Sequence, residues 1–188
     1  MQKKSAPEFS EISTASAVFD DSDVGKQDEF SPGSPLVEEL SDTEKNANAQ
    51  KIGVSRGGRT TKIHALVGDD CKPTALLISS GNINDCSVAV DLLALSPIAG
   101  KTILGDKAYA TQEIMSYIKG EGATFCIPPK SNTKDPWDFD KEDYKNRNVV
   151  ERFFNMLKQF RAVATRYDKL AKRYFGFVLL ASIMILLK

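Results

Sequence analysis

The sequence holds one histidine (His64), one tryptophan and three cysteines (Cys71, Cys86, Cys126). The cysteines lie 15 and 40 residues apart, no CxxC occurs and their number is odd. A zinc cluster and a secreted disulfide framework are therefore excluded, and a reducing compartment is expected. Pro (8) and Gly (12) are too few for a collagenous or Pro-rich low-complexity chain. The opening MQKKSAPEFSEIS lacks the apolar core of a signal peptide. The longest apolar run, Phe177 to Leu187, is 11 residues broken by Ser182. A membrane span needs about 20 such residues, so this run is read as a buried C-terminal helix and no membrane partner is expected.

Net charge is zero over 188 residues, but it is unevenly distributed. Residues 1–49 carry 4 Lys and 11 Asp+Glu, net −7, and residues 50–188 carry 21 Lys+Arg and 14 Asp+Glu, net +7. The first stretch has little apolar surface to offset its ordering entropy, which predicts a disordered acidic tail over 1–50. The rest can build a core, and a length near 140 residues suits one domain, 51–188. Its densest basic stretch, Lys141 to Phe175, holds 10 Lys+Arg against 4 acids. A surplus of that kind suits a polyanion such as DNA, or else forms a solvated helix face.

Alternation predicts a strand over 60–67, a turn at Gly68-Asp69-Asp70 and a second strand over 73–79. Asp85 is positioned to cap a helix reaching about Ser96, and Lys101 to Gly105 reads as a short strand ending at Asp106. Thr111 caps a helix that stops at Gly120, and 123–127 is another strand closed by Pro128-Pro129. After a polar loop, Asp140 caps a long helix from Lys141, and an apolar helix ends the chain. The order is that of a mixed α/β layer fold.

Two positions stand out chemically. On a helix from Lys141, Tyr144, Arg147, Glu151 and Lys158 share an arc of about 60° at about 100° per residue. Val150, Phe153, Leu157, Phe160 and Ala164 lie on another face. Glu151 sits between two cations, which keeps a carboxylate ionised as a metal ligand must be; the competing interpretation is a surface i,i+4 pair. Asp106 follows a strand's carboxyl end, where α/β sheets meet ligands, or else it simply caps a turn. Together the two carboxylates would suit a hard divalent cation.

The run from Tyr144 through Arg147 and Glu151 to Lys158 resembles the Tyr-x2-Arg-x3-Glu-x6-Lys signature of DDE-type transposases of bacterial insertion sequences. SRGGRTTKIHALV, GDKAY at 105–109, IPPKSN at 127–132 and ATRYDKLAKRYFGFVLLA are similar to the same family in the same order. The resemblance spans about 51–188, or 138 residues. It implies a ribonuclease-H-like mixed sheet with flanking helices, and two Mg2+ ions (Mn2+ can substitute) held by Asp, Asp and Glu. Asp106 and Glu151 match the second Asp and the Glu, as catalytic and metal-binding residues. Tyr144, Arg147 and Lys158 match positions that contact DNA or its phosphates. His64 lies in a matched block and is read as structural.

The family's first Asp belongs on the first strand of the sheet, upstream of SRGG, where this chain has its acidic stretch. Asp20, Asp21 and Asp23 are the only candidates there. The expectation is a partial catalytic domain lacking its first strand, the product of a second reading frame or a truncated remnant. That would leave the 60–79 hairpin with an open edge. Three functions compete. The first is Mg-dependent phosphodiester hydrolysis and strand transfer at insertion-sequence ends, completed by an upstream-frame product. The second is an inactive remnant that binds DNA, and the third a non-enzymatic interaction protein on the same scaffold. Expected partners are element-end and target DNA and a second copy in a homodimer, in the bacterial cytoplasm and on the nucleoid.

Overall fold

The computed structural model describes residues 9–19, 49–55 and 58–187. The polar loop at Gly68–Cys71 reverses the chain between two β-rich runs, giving an antiparallel pair: β3 (Gly58–Gly68) with β4 (Pro73–Ser80). A short β2 (Gly53–Ser55) extends β4's side at the start of β3. β5 (Thr102–Gly105) and β6 (Thr124–Cys126) pair in parallel across a crossover helix.

What joins the halves is β1, Phe9–Phe19. It pairs antiparallel with β3 from Ser10–Gly68 to Val18–Thr60. On its other side it pairs in parallel with β5 over Phe9–Ile12, and with β7 (Thr165–Arg166) at Val18 and Phe19. The sheet thus runs β4-β3-β1-β5-β6, with β2 and β7 as short extensions. This is the mixed α/β sheet with flanking helices that was expected, with one correction. Residues 9–19, part of the stretch assigned to a disordered tail, supply the central strand, so the sheet does not lack its first strand and the β3 edge is covered; 1–8 and 20–48 of that stretch lie outside the described residues. Backbone pairing on both sides compensates for a segment poor in large apolar residues. Asp20, Asp21 and Asp23 lie outside the described residues.

Helices cover both faces. α1 (Cys86–Ala94) and α2 (Gln112–Gly120) pack with Leu66, Ile103 and Ile127 on one face. The Thr111 hydroxyl accepts from Ile114 N and caps α2 as expected. Asp85 makes no such cap and instead pairs with Lys62 Nζ at 2.8 Å. On the other face lie α4 (Asn148–Leu157) and α6 (Ala171–Leu186), joined by α5 (Arg161–Ala164). Val149, Val150, Phe153, Phe154 and Leu157 close over Ile63, Ala65 and Val67 of β3, with Tyr174 and Val178 behind them. The C-terminal helix is buried on one face only: Phe177, Leu180, Ile183 and Met184 face outward. Among the described residues no helix is long and apolar enough to cross a membrane.

The long helix expected from Lys141 is interrupted. Asp140 caps α3 (Lys141–Tyr144), accepting from Glu142 N and Asp143 N. Residues Lys145–Arg147 then tighten into a 3-10 turn before α4 begins. The tighter turn separates Tyr144 from α4, which carries Glu151 in its first turn and ends at Lys158.

Two buried polar side chains tie the sheet to its surroundings. His64 is 2% exposed and its Nε2 lies 2.7 Å from Ser79 Oγ. Burial, with Lys62 nearby, lowers its pKa to about 4 against the opposing pull of Asp85. Arg166 is fully buried. Its guanidinium donates to the carbonyls of Gln50 (2.9 Å), Asp168 (2.8 Å) and Lys169 (2.8 Å) and to Thr61 Oγ1, and lies 5.1 Å from the Tyr174 ring centroid.

Between pH 6.5 and 4 the unfolded chain binds the extra proton at His64 and the folded chain does not. The stabilisation from neutral His64 is therefore complete above about pH 6.5 and falls away as pH drops towards 4. It is worth about 3 kcal/mol over that window, and urea unfolding of wild type against His64→Gln across it should show the slope flatten. Arg166→Met strands several part-buried carbonyls and the buried Thr61 hydroxyl and should cost about 3 kcal/mol. Arg166→Lys should recover only part, because an ammonium cannot span the same fork of acceptors; chemical denaturation reads both.

Candidate functional site

The ladder between β1 and β5 ends at the pair Ile12–Gly105, and that between β1 and β7 begins at Val18–Thr165. Between those points the sheet opens, and Asp106 stands at the opening. Its backbone is still extended (φ −70, ψ 159), and the chain then turns through a 3-10 segment, Lys107–Tyr109. Asp106 Oδ1 accepts from Lys107 N at 2.6 Å, and the buried Tyr109 anchors the turn in the α1/α2 core. The turn-capping role and the ligand position coincide in this residue. One carboxylate oxygen holds the backbone, and the side chain remains half exposed (50%).

Glu151 reaches the same place from a separate segment, the first turn of α4. The apolar stripe of α4 faces the sheet, which turns Glu151, in the helix's first turn, towards solvent at 64% exposure. Arg147, at the end of the 3-10 turn, connects the two acids. Its Nη1 lies 3.8 Å from Asp106 Oδ2 and its Nη2 3.7 Å from Glu151 Oε1. The Arg147 guanidinium also lies 5.4 Å from the Tyr144 ring centroid, and that ring packs edge-on against Phe139 at 5.5 Å. Arg147 thus brings Tyr144, Glu151 and Asp106 into one cluster. Lys158 does not join it: it is the C-cap residue of α4 and exposed.

At these distances and exposures each ion pair contributes less than about 1 kcal/mol to folding. The cluster is not what holds the domain together. Its value lies in gathering two carboxylates and a cation, on separate segments, at one opening of the sheet. Two carboxylates suit a single hard cation on oxygen ligands, but a two-ion centre draws on more of them. Among the described residues no group of three His, Cys, Asp or Glu converges, and Arg147 already neutralises part of the pair. Those residues do not fit a two-metal centre.

The other reactive side chains are structural. His64 lies beneath the opposite face, held neutral. Burial raises the thiol pKa of Cys86 and of Cys126, which leaves neither a ready nucleophile. The Lys62–Asp85 pair and Arg166 escaped the sequence analysis, since charge patterning counts cations without showing which are buried.

Comparison with known proteins bears on this arrangement. A family model described as a transposase DDE domain matches residues 18–138, and a second model of the same description matches 103–188. A Brucella ovis protein that carries the name of transposase for insertion sequence element IS6501 is 33% identical over 130 residues, covering 69% of this chain and 99% of the relative. Among solved structures, the Mos1 transposase paired-end complex with left transposon end aligns with 93% of this chain and 55% of that one, at 12% identity and a TM-score of 0.37. The family models and the Brucella relative, together covering the opening of the sheet and both acids, establish that this chain belongs to the DDE transposases of insertion sequences.

Proposed function

We propose that the chain is the DNA-handling core of its transposase, with the opening beside Asp106 as the place where a DNA phosphodiester is received. One observation carries this: a single guanidinium, Arg147, gathers Asp106 from the end of β5 and Glu151 from α4. A planar fork of donors of this kind also matches a phosphate. On approach of DNA, the Arg147 side chain exchanges its long contacts with the two carboxylates for shorter ones with a phosphate. Tyr144, braced by Phe139, offers a ring against which sugar or base can stack, and Lys158 extends the basic track along α4.

In the reaction of this family a phosphodiester at an element end is hydrolysed and the freed 3′-hydroxyl attacks target DNA. Such chemistry draws on divalent ions that activate the attacking oxygen and stabilise the leaving one; Mg2+ is the ion these oxygen donors favour, with Mn2+ a close substitute. Asp106 and Glu151 fall one carboxylate short of a two-ion set. A second function is therefore favoured alongside the first by the Arg147 contacts: DNA binding without efficient cleavage. Pairing with a second copy or an upstream-frame product would supply the further carboxylate that the described residues do not bring to this site.

Binding of a fluorescein-labelled duplex at a series of NaCl concentrations tests the grip. Affinity should fall steeply with salt, and Arg147→Gln and Lys158→Gln should each reduce the slope of log K on log salt by about 1. Affinity indifferent to salt, or slopes unchanged in both variants, would remove the DNA interface from these residues.

A further inference from the structure

The inner face of α6, with Tyr174, Val178, Ala181 and Ile185, belongs to the core shared by α4 and β3. Its outer face is as apolar as the inner one. Phe177, Leu180, Ile183, Met184 and Leu187 share an arc of about 120° at about 100° per residue, and each is between 43% and 78% exposed. No residue from Tyr174 to Leu187 is charged. The Ser182 hydroxyl already donates to the Val178 carbonyl at 2.8 Å. A helix that is apolar on all sides is one buried on all sides in its working state. Among the described residues no helix is long and apolar enough to cross a membrane. A helix lying in lipid headgroups carries a strongly charged outer face, which α6 lacks.

We infer that this face is where two copies of the chain meet, α6 against α6, antiparallel about a two-fold axis near Leu180. Area is the first argument. A bare large apolar side chain offers roughly 200 Å², so the five residues expose about 550 Å² per copy, near the largest patch an ordinary monomer leaves to water. Paired, and with the part-exposed Phe160 and Ala162 at the rim, two copies bury about 1,200 Å², the lower bound for a specific interface. That area suits a reversible dimer. Shape is the second argument. Phe160, Val163, Phe177, Leu180, Ala181 and Met184 line a groove of about 170 Å³ between α6 and the α5 segment. Ile183 and Leu187 project beside it, so one patch carries both a hollow and a ridge, as self-complementary two-fold contact needs. Charge sets the direction. Arg173 lies on the same arc, one turn before Phe177. Antiparallel pairing puts each Arg173 beside the last carbonyls of the other helix, where a cation is favoured, whereas parallel pairing would put the two guanidinium groups together. The patch includes none of Asp106, Arg147 and Glu151, so the inference goes beyond the DNA-binding reading and does not depend on it.

Sedimentation velocity of the full chain without DNA, over about 1 to 100 µM, should show a reversible monomer–dimer equilibrium. Leu180→Asp, at a position 57% exposed in the single chain, should weaken association at least about tenfold while leaving the urea midpoint unchanged. Met184→Lys should do the same, and decides the matter should the first variant fail to fold. Oxidative cross-linking reads the direction. Leu180→Cys should link to itself across the axis, and Arg173→Cys should link to Leu187→Cys in a mixture but not to itself; wild type, with its own three cysteines, is the control. A wild-type chain that stays monomeric at the highest concentration overturns the inference, whether or not phosphatidylcholine vesicles then take up the face. A dimer that neither Leu180→Asp nor Met184→Lys weakens overturns it too, and Arg173→Cys linking to itself overturns the antiparallel arrangement. Because DNA is absent throughout, either outcome leaves the salt dependence of DNA binding to be judged separately.

Discussion

Backbone pairing on both sides of β1 is the constraint from which the site follows. An antiparallel hairpin, β3 with β4, and a parallel unit, β5 with β6, share no ladder of their own. β1 joins them by filling one side with β3 and the other with β5. Once the two units are in register, the carboxyl end of β5 and the opening beside β1 coincide. Asp106 is then placed by the β1–β5 ladder that ends one residue before it, while one of its own carboxylate oxygens holds the turn that follows. α4, seated on β3 through Phe153 and Leu157, brings Glu151 to the same rim.

Stability and chemistry are consequently carried by different residues. The interior relies on aliphatic and aromatic contacts, on neutral His64 against Ser79 and on the Arg166 guanidinium among its carbonyls. The rim cluster contributes little to folding because its charges are exposed. Such a division lets the acids and Arg147 change partners when a phosphate arrives without disturbing the core beneath them.

Much of this was legible from residue order. The alternation over 60–67 and 73–79, the Thr111 and Asp140 caps and the apolar stripe of α4 are local signals, and each appears in the structure. Spacing and family resemblance singled out Asp106 after a strand and Glu151 beside Arg147, and in the structure both lie against the Arg147 guanidinium. β1 was not legible. FSEISTASAVF has four large apolar residues among Ser, Thr, Ala and Glu, and its acidic neighbours lower the average of any window that contains it. Its strand character comes from partners some fifty and ninety residues away, which no local pattern records. The 3-10 break before α4 was hidden for a similar reason: Lys145, Asn146 and Arg147 include neither Gly nor Pro.

Arg166 has one more consequence. Phe19, the last residue of β1, pairs with it in the ladder, and the Gln50 carbonyl accepts from its guanidinium. The polypeptide thus departs from the sheet and rejoins it at a single anchorage. Both attachments therefore depend on one residue, so that loss of its guanidinium would loosen the end of β1 and the approach to β2 together.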